Sequence, residues 1–346
     1  MTGQADEMRV AFVSDNVAPV APEIMQAIAA ANAGDAPPYG LDAITRSLDG
    51  IYGALFETPV RVLPVATGTA GNALALASLV AGDGVIYCHE EAHIQISEYG
   101  ASALFTGGAR LELLPGAGGR IDPVGLSRRL AEAPPAARAA LSLTQANEAG
   151  TVYSAEEIGA LTDIARRHGL AVHMDGARFA NAVAALGCAP ADVTWRAGVE
   201  VLSFGTTKDG TLNGDAIIYL RPELAPDMRP VWQRAGQHAS KMRYAAAQLA
   251  RIAEDGLWLR LAAQANGMAD RLGAGLAAIP GARLRHPVET NQVFVELPDA
   301  VEAALAAAGY GVRRWQGGRA ARFVTSFANT VEEVDAFLAA AGRDAG

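Results

Sequence analysis

Three side chains that could act on a carbonyl compound follow two apolar runs of the sequence. Asp175 directly follows residues 170–174, Arg178 comes shortly after it, and Lys208 lies just beyond residues 199–204. Both runs have the composition of buried strands. In a parallel sheet with helical crossovers, residues just past the carboxyl ends of the strands face one shared crevice. The three side chains are therefore predicted to converge there.

An acid, a guanidinium group and a lysine at strand ends are the groups that a pyridoxal phosphate (PLP) site requires. The lysine forms a Schiff base with the cofactor, a carboxylate pairs with the pyridinium nitrogen, and hydroxyl and backbone N–H groups hold the phosphate. Each residue alone also has a structural interpretation: Asp175 could cap the following helix, and Lys208 could be a solvated lysine in a Gly/Thr/Asp loop. It is their combination at this spacing that favours a PLP site.

The segment 66–72, which reads ATGTAGN, provides a candidate site for the phosphate. It lies between a predicted strand over 60–65 and a predicted helix over 73–80. Small residues that lead into a helix leave unsatisfied N–H groups beside the positive end of the helix dipole. Close packing explains such a turn equally often. The segment also lacks the full dinucleotide-binding fingerprint, and no acid follows that would bind a ribose.

A literal zinc motif occurs once, in the HExxH arrangement of His89, Glu90 and His93. This motif requires a helix and a third ligand, whereas here it directly follows a predicted strand over 84–88. We therefore predict that no metal is bound. The alternative is that His93 faces the shared crevice at a strand end, where an imidazole can stack on a pyridine ring.

The composition restricts the class of protein. The chain has 346 residues and a formal net charge of −9, which argues against a nucleic-acid partner because such proteins usually present a basic face. No apolar run approaches the length that spans a membrane, so no membrane association is expected. Cys88 and Cys188 could form at most one disulfide bond, so we predict reduced thiols and a cytoplasmic location.

Apolar runs alternate with amphipathic segments from residue 60 to residue 220, which predicts an α/β fold with a largely parallel sheet and helices on both faces. We predict a large domain over residues 1–230, including the N-terminal segment. The predicted strands are 9–13, 60–65, 84–88, 139–144, 170–174, 199–204 and 216–220, with one strand or a strand pair within 104–114. The predicted helices are 23–33, 42–55, 73–80, 122–132, 154–167 and 179–186.

The remaining residues, 231–346, are predicted to form connecting helices and a small α+β domain. A helical region over 231–279 is broken near Gly256. Strands are predicted over 283–285, 292–297 and 322–327, and helices over 300–308 and 330–341. This order fits a small domain of the βαβ type. Ser154 and Thr330 are each followed by a glutamate three residues later, which predicts a capping box at the start of each helix.

Seven separated motifs resemble those of one enzyme family. They are SDN from Ser14, YG from Tyr39, ATGTAGN around Gly68, EAHIQISEYG with His93, HMDGAR with Asp175, SFGTTKDG with Lys208, and RFVTSF from Arg322. In this order they resemble the L-threonine aldolases, the low-specificity group of the fold-type-I PLP enzymes. The motifs span nearly the whole chain, so the likeness is to the family and not only to the fold.

The resemblance implies a role for each matching residue at the cofactor. Lys208 should form the Schiff base, and Asp175 should keep the ring nitrogen protonated. Arg178 should lie near the ring hydroxyl and the substrate carboxylate. His93 should stack on the ring and could help to move the proton of the β-hydroxyl group. The residues expected to bind the phosphate are Gly68, Thr69 and Thr206.

The resemblance also implies residues for the substrate and for a partner subunit. Ser14 and Arg322 are expected to clamp the substrate carboxylate, for which a planar guanidinium is well suited. Arg243 is similar to an arginine that reaches the phosphate of a neighbouring subunit, and Tyr39 could likewise serve a shared site. Shared sites imply an oligomer, for which we expect a homotetramer of two tight dimers.

One departure from the family concerns the loop after the predicted strand 139–144. Many members have a second active-site histidine there, where this chain has residues 145–148, QANE. The group that handles the β-hydroxyl proton is therefore open between His93, a bound water and Asn147 positioning such a water. The other histidines are predicted to be structural or exposed: His89, His168, His173, His238 and His286.

The activity that the resemblance implies is a reversible retro-aldol cleavage of β-hydroxy-α-amino acids. Threonine or allo-threonine would give glycine and acetaldehyde, and phenylserine would give benzaldehyde. Three alternatives stay open at this point. They are another fold-type-I activity such as a β-eliminating lyase or aminotransferase, a metal hydrolase based on His89 and His93, and a cofactor-free relative. The intact Lys208 and Asp175 argue against the last.

Overall fold

The first and larger of two sheets contains seven strands. A computed structural model describes residues 9–133, 138–225, 229–315 and 318–342. The strand order is β1-β7-β6-β5-β4-β2-β3, and all neighbours are parallel except β7, which is antiparallel to both β1 and β6. The strands are β1 (Arg61–Val65), β2 (Val85–His89), β3 (Arg110–Leu114), β4 (Ala139–Thr144), β5 (Ala171–Gly176), β6 (Val201–Phe204) and β7 (Asp215–Tyr219).

Helices cover both faces of this sheet, which is why its central strands are buried along their whole length. The helices are α1 (Pro22–Ala31), α2 (Ala43–Phe56), α3 (Gly68–Leu79), α4 (His93–Ile96), α5 (Ala101–Thr106), α6 (Pro123–Glu132), α7 (Ala155–Arg167), α8 (Phe179–Leu186), α9 (Arg229–Arg234), α10 (Arg243–Ala253) and α11 (Leu257–Ala277). The predicted mixed α/β architecture is therefore confirmed. None of the described helices is long and apolar enough to cross a membrane.

An aromatic cluster fills the core beneath the ends of β5 and β6. The rings of Phe179 and Trp258 stack with centroids 6.1 Å apart, and Phe204 meets Trp258 edge to face at 5.9 Å. Tyr52 completes the cluster against Phe204 at 5.5 Å. Large buried rings pack specifically and resist displacement. This cluster therefore supports the turn that follows β6.

The second sheet is small and entirely antiparallel in its named strands. Its order is β10-β11-β9-β8, with β8 (Arg283–Leu284), β9 (Gln292–Glu296), β10 (Arg313–Arg314) and β11 (Ala321–Val324), and α12 (Asp299–Ala307) and α13 (Val331–Ala341) complete this part. The expectation of a βαβ unit was wrong. The hairpin of β10 and β11 turns the chain back, so that β11 lies antiparallel to β9.

Residues 9–13 do not form the predicted strand. Arg9 makes one isolated bridge with Tyr310, and Phe12 has a positive φ of 63°. The ring of Phe12 instead packs edge to face on Phe337, 5.1 Å away, in the core of the second sheet. A short apolar run cannot by itself distinguish a strand from a buried loop. The division of the chain at residue 230 stays a prediction, since Phe12 and the later part of α11 belong to this second core.

Two other element predictions needed correction, and two caps were confirmed. The segment 104–114 is neither one strand nor a strand pair, because α5 ends at Thr106 before β3 begins. Helix α3 starts at Gly68, five positions before the predicted start, because the side chain of Thr67 caps it by accepting from the N–H of Ala70. The capping boxes at Ser154 and Thr330 are both present.

Candidate active site

A cavity of about 280 Å³ opens where β5 and β6 end, beside the N-terminus of α3. This is the edge at which a parallel sheet presents its ligand site. The polar residues that line it are Asn16, Thr67, Thr69, Asn72, His93, Glu98, Asp175, Ser203, Thr207, Lys208 and Asp215, together with Gly68 and several apolar residues. Lys208, Asp175, His93, Gly68 and Thr69 were all named from the sequence, and the fold brings them together.

Lys208 lies in a one-turn 3₁₀ helix, Thr207–Asp209, that follows β6. The carboxylate of Asp215 fixes this turn, because its Oδ1 accepts from the N–H groups of Thr206 and Thr207 at 2.8 and 3.0 Å. Gly205 lets the turn approach β5, since a Cβ there would lie 2.7 Å from the Cα of Ala177. The amine of Lys208 thus shares the cavity with Asp175.

The environment of Lys208 lowers the pKa of its amine. Burial lowers its pKa, and the positive charge of Arg178 lowers it further, against the opposing carboxylates of Asp15, Glu148 and Asp175. A lysine whose pKa is lowered is more readily available as the neutral amine that attacks a carbonyl carbon. The chain has one other lysine, Lys241, which is exposed.

Asp175 is held by two donors on different elements. Its Oδ1 accepts from the N–H of Ala177 at 3.0 Å, and its Oδ2 accepts from Nδ2 of Asn72, on α3, also at 3.0 Å. The carboxylate is almost completely buried. These bonds fix its orientation in the cavity. Lys208 is the one lysine or arginine among the lining residues, so a cationic ring nitrogen is a suitable partner for the carboxylate.

His93 begins the short helix α4 and pairs with a buried acid. Its Nδ1 lies 2.8 Å from Oε1 of Glu98, whose side chain is 0% exposed. Burial lowers the pKa of His93, but the hydrogen bond to Glu98 and the charges of Asp175 and Glu148 outweigh that effect, so the pKa is raised. The pKa of Glu98 is also raised, in this case by burial, and the charge of Asp175 adds to the increase.

The N-terminus of α3 also lines the cavity. The first N–H groups of a helix have no partner within it. Thr67 uses its hydroxyl to satisfy Ala70, which leaves the N–H groups of Gly68 and Thr69 beside the cavity. Such an end attracts anions. Thr206, predicted to bind there too, is buried instead, and its hydroxyl donates to the carbonyl oxygen of Gly214.

Arg178 and Ser14 lie next to the cavity but do not line it. The guanidinium of Arg178 is buried and forms a two-pronged ion pair with Asp15, with Nε and Nη2 at 2.7 and 2.9 Å from the two carboxylate oxygens. Ser14 caps the 3₁₀ turn that carries Asp15 and accepts from the backbone N–H of Asn16. Burial raises the pKa of Asp15, but Arg178 and Lys208 outweigh it and bring the pKa to about 2.

This buried pair makes a prediction about stability. Asp15→Asn should lower the free energy of unfolding by about 3–5 kcal/mol at neutral pH, because it leaves the guanidinium of Arg178 buried without a counter-charge. Because the pKa of Asp15 lies below its ordinary 3.8, the contribution is complete above that value and is lost as the pH falls towards about 2. Urea unfolding of both proteins across this range measures it.

A matched control is the pair of Arg271 and Asp335. It has the same two-pronged geometry, at 2.7 and 2.8 Å, but both side chains are about half exposed. Solvent screens such a pair, so Asp335→Asn should cost far less. Equal losses in the two variants would contradict the importance of burial.

Arg322 lies on β11 and packs among planar side chains. Its Nη2 donates to Oε1 of Gln292 at 2.7 Å, and its guanidinium lies 5.0 Å from the ring centroid of Trp315 and 5.9 Å from that of Phe294. Burial lowers its pKa to about 10, and the charge of Arg178 contributes. Arg322 does not line the cavity, so its role in binding a carboxylate stays a prediction.

Tyr39 and Arg243 lie away from this cavity. Tyr39 is 49% exposed, has a φ of 58°, and lines a second cavity with its ring 5.0 Å from that of His238. Arg243 begins α10 and donates to the carbonyl oxygen of Gly34 at 2.9 Å. Their roles at a shared site therefore stay predictions about an assembly.

The HExxH motif does not form the helical pair of ligands that zincins use. His89 is the last residue of β2, whereas His93 starts α4, and the ring of His89 contacts the carbonyl oxygen of Gly116 and the N–H of Glu91. Potential ligand atoms of His93, Glu98 and Asp175 do lie within 4.8 Å of one another. Those side chains are already joined to each other and to Asn72 by hydrogen bonds.

Comparison with known proteins decides the family. Residues 11–300 match the Beta-eliminating lyase family. A low specificity L-threonine aldolase from Pseudomonas aeruginosa is 40% identical over 328 residues, which cover 93% of this chain and 94% of that protein. The chain belongs to the L-threonine aldolase family.

Solved structures agree with this membership. A Leishmania major threonine aldolase superposes with a TM-score of 0.89 at 26% identity, covering 97% of this chain and 99% of that chain. A serine palmitoyltransferase from S. paucimobilis with bound PLP has a TM-score of 0.68 at 15% identity, covering 94% of this chain and 84% of that chain. The second likeness concerns the fold alone. This threonine aldolase family member therefore has the fold-type-I architecture.

The loop where many threonine aldolases have a histidine is occupied differently here. The amide of Asn147 donates to the carbonyl oxygen of Gly118 and to Oγ1 of Thr151, and its Oδ1 accepts from the N–H of Ala149. Asn147 is thus used in holding the loop and is not free to position a water. Glu148 follows it, and its charge acts on His93, Arg178, Lys208 and Arg322.

Several residues of this threonine aldolase family site were missed by sequence reasoning. Asp15, Asn72 and Glu98 lie inside motifs that were recognised, namely SDN, ATGTAGN and EAHIQISEYG, so each motif contained a second polar residue that could have been considered. Asp215 had no such signal. It begins β7, the neighbour of β6 in the sheet, and it accepts from N–H groups only eight and nine residues earlier in the chain.

Proposed function

We propose that this chain is a PLP-dependent low-specificity L-threonine aldolase. It would cleave L-threonine, L-allo-threonine and related β-hydroxy-α-amino acids such as phenylserine reversibly to glycine and an aldehyde. The observation that supports this most is the amine of Lys208 and the carboxylate of Asp175 in one cavity that ends at a helix N-terminus. The name of the 40% identical Pseudomonas aeruginosa relative supports the reaction.

The groups in the cavity suit PLP. A carboxylate fixed by two hydrogen bonds suits the ring nitrogen, and the free N–H groups of Gly68 and Thr69 suit the phosphate. The amine of Lys208 lines the same cavity, and its pKa is lowered. The serine palmitoyltransferase of the same fold has PLP bound. When bound, PLP supplies an electron sink for the pair of electrons left at Cα after cleavage.

The residues of the chain would then bind substrate and move protons. Lys208 accepts and returns a proton at Nζ. The substrate carboxylate would be held near Arg178, Arg322 and Ser14. His93 has Nδ1 bonded to Glu98 and would accept the β-hydroxyl proton at Nε2. A proton-transfer group in position typically contributes about 10²–10⁴-fold to the rate.

The proposal includes an assembly. Among the residues that line the cavity, no arginine lies at the phosphate end, where Asp215 adds a negative charge instead. A cation from a second subunit would balance that charge, and Arg243 together with Tyr39 would serve a neighbouring site in a homotetramer of two dimers. Sedimentation of the Arg243→Ala variant with and without added PLP tests this part.

We also propose that the enzyme acts in the cytoplasm, on a small amino acid and without a nucleic-acid or membrane partner. The support is the pair of free thiols, Cys88 and Cys188, which persist in a reducing compartment.

The decisive experiment is to incubate the PLP-loaded protein with L-threonine, L-allo-threonine and phenylserine. Glycine and the matching aldehyde should appear in equal amounts. Because residues 11–300 match the Beta-eliminating lyase family, β-elimination is the second candidate. Ammonia and a keto acid in place of glycine would favour that activity and contradict the aldolase.

A further inference from the structure

One buried amide joins two of the carboxylates that line the site. Nδ2 of Asn72, on α3, donates to Oε1 of Glu98 at 2.8 Å and to Oδ2 of Asp175 at 3.0 Å. The same Oε1 of Glu98 lies 2.8 Å from Nδ1 of His93. A carboxylate accepts and does not donate, so Nδ1 of His93 carries the hydrogen. The four side chains form one hydrogen-bonded series from the imidazole of His93 to the carboxylate of Asp175.

The Glu98 end of this chain is incompletely satisfied. Oε2 of Glu98 and Oδ1 of Asn72 are buried and have no hydrogen-bond partner in the described part of the protein. Burying a charge is costly unless it is paired, and an unpaired buried oxygen in a native structure calls for an explanation. Among the residues that the structure describes, the one cation within hydrogen-bond distance of Glu98 is His93 when it is protonated.

The charges that face this pair come from two other parts of the fold. Asp175 at the end of β5 and Glu148 after β4 both face His93, and Asp175 also faces Glu98. Each negative charge favours the protonated form of the pair of His93 and Glu98. A cation bound at Asp175 would cancel part of that effect, and the proton on His93 would be held less tightly.

We propose that Glu98 is a positioning residue that fixes the charge and ring orientation of His93 and couples both, through Asn72, to the ionic state of Asp175. This inference rests on the proposed function, because it concerns the proton affinity of the imidazole that would accept the β-hydroxyl proton. Glu98 itself need not touch the substrate.

The test uses Glu98→Gln, which keeps the length of the side chain and an oxygen that can accept from Asn72 and His93. It removes the charge and replaces the unpartnered Oε2 with an amide NH2 group. The ring signal of His93, assigned with His93→Asn, is titrated by NMR in the protein without PLP. The pKa of His93 should fall by about one unit or more, since a neighbouring opposite charge typically shifts a pKa by about 1–3 units.

Controls separate the charge from general disturbance. Glu90→Gln makes the same charge change at an exposed position three residues before His93, and it should leave the titration in place. Glu98→Asp keeps the charge and should restore part of the shift. Asp175→Asn should also lower the pKa of His93, because it removes a charge that faces the ring, and it provides a second measurement if Glu98→Gln does not fold.

The loaded enzyme gives an independent readout. If neutral His93 accepts the β-hydroxyl proton, the acidic limb of the pH profile of kcat/KM should move to lower pH by the same amount in Glu98→Gln. An unchanged titration of His93 in both Glu98→Gln and Asp175→Asn would overturn the proposal. A shifted titration in a protein that cleaves no β-hydroxy amino acid would instead leave the coupling intact and refute the aldolase activity.

Discussion

Lys208→Ala is expected to lower kcat by about 10³-fold or more and to abolish the visible absorption of the protein-bound cofactor at the same time. The loss of one proton-transfer group alone typically costs about 10²–10⁴-fold, and here the nucleophile that holds the cofactor is lost as well. Lys208 is the one lysine that lines the cavity, because Lys241 is exposed. Steady-state cleavage of L-threonine and an absorption spectrum measure the two effects.

The control is Lys208→Arg, which keeps a positive charge between Asp15 and Asp175 but has no amine that can attack a carbonyl. It should fold as the unchanged protein does, bind PLP weakly, and lack both the absorption band and turnover. Normal turnover in either variant would show that the catalytic amine has been assigned to the wrong residue. Thermal unfolding of both variants separates loss of chemistry from loss of fold.

The second large effect is expected from Asp175→Asn, which should lower kcat by on the order of 10²–10³-fold while some PLP stays bound. This is the range that removal of a single group stabilising developing charge typically produces. The carboxylate accepts from Asn72 and from Ala177 at once. An asparagine has only one acceptor oxygen, so it must leave one of these donors unsatisfied and would no longer hold a protonated ring nitrogen.

The measurement is kcat and KM for L-threonine together with the fraction of cofactor retained after dialysis. Asp163→Asn makes the same change on an exposed part of α7 and serves as the control. A larger loss in kcat than in PLP binding supports the pairing with the ring nitrogen. An unchanged kcat would mean that Asp175 only caps the turn into α8.

Elements with a strong local signal were predicted well. Helix α8 and strand β4 have the predicted bounds, and the capping boxes at Ser154 and Thr330 are formed. Hydroxyl caps and sheet-buried apolar runs depend on residues close in sequence, which is why they can be read without the fold. The prediction of a strand over residues 9–13 was wrong because the packing of Phe12 depends on Phe337, more than three hundred positions away.

The partners of the charged residues could not be predicted. Arg178 was expected to face a ligand, yet its guanidinium is bound by Asp15 from the N-terminal segment. His93 was expected to stack on the cofactor ring, but its pairing with Glu98 and its link through Asn72 to Asp175 were not predicted. Which of several acids a buried cation finds is set by distances of a few ångströms between separate elements.

The sequence by itself determined which residue types could do chemistry here and that two apolar runs would deliver them to one edge of a sheet. Strand polarity and the order of strand ends follow from local pattern and chain connectivity, so Lys208 and Asp175 could be brought together in advance. Only the tertiary structure decided which polar groups form hydrogen bonds and ion pairs with one another. Hydrogen bonding and desolvation act over a few ångströms between separate elements. They produce no periodic pattern in the sequence from which they could be predicted.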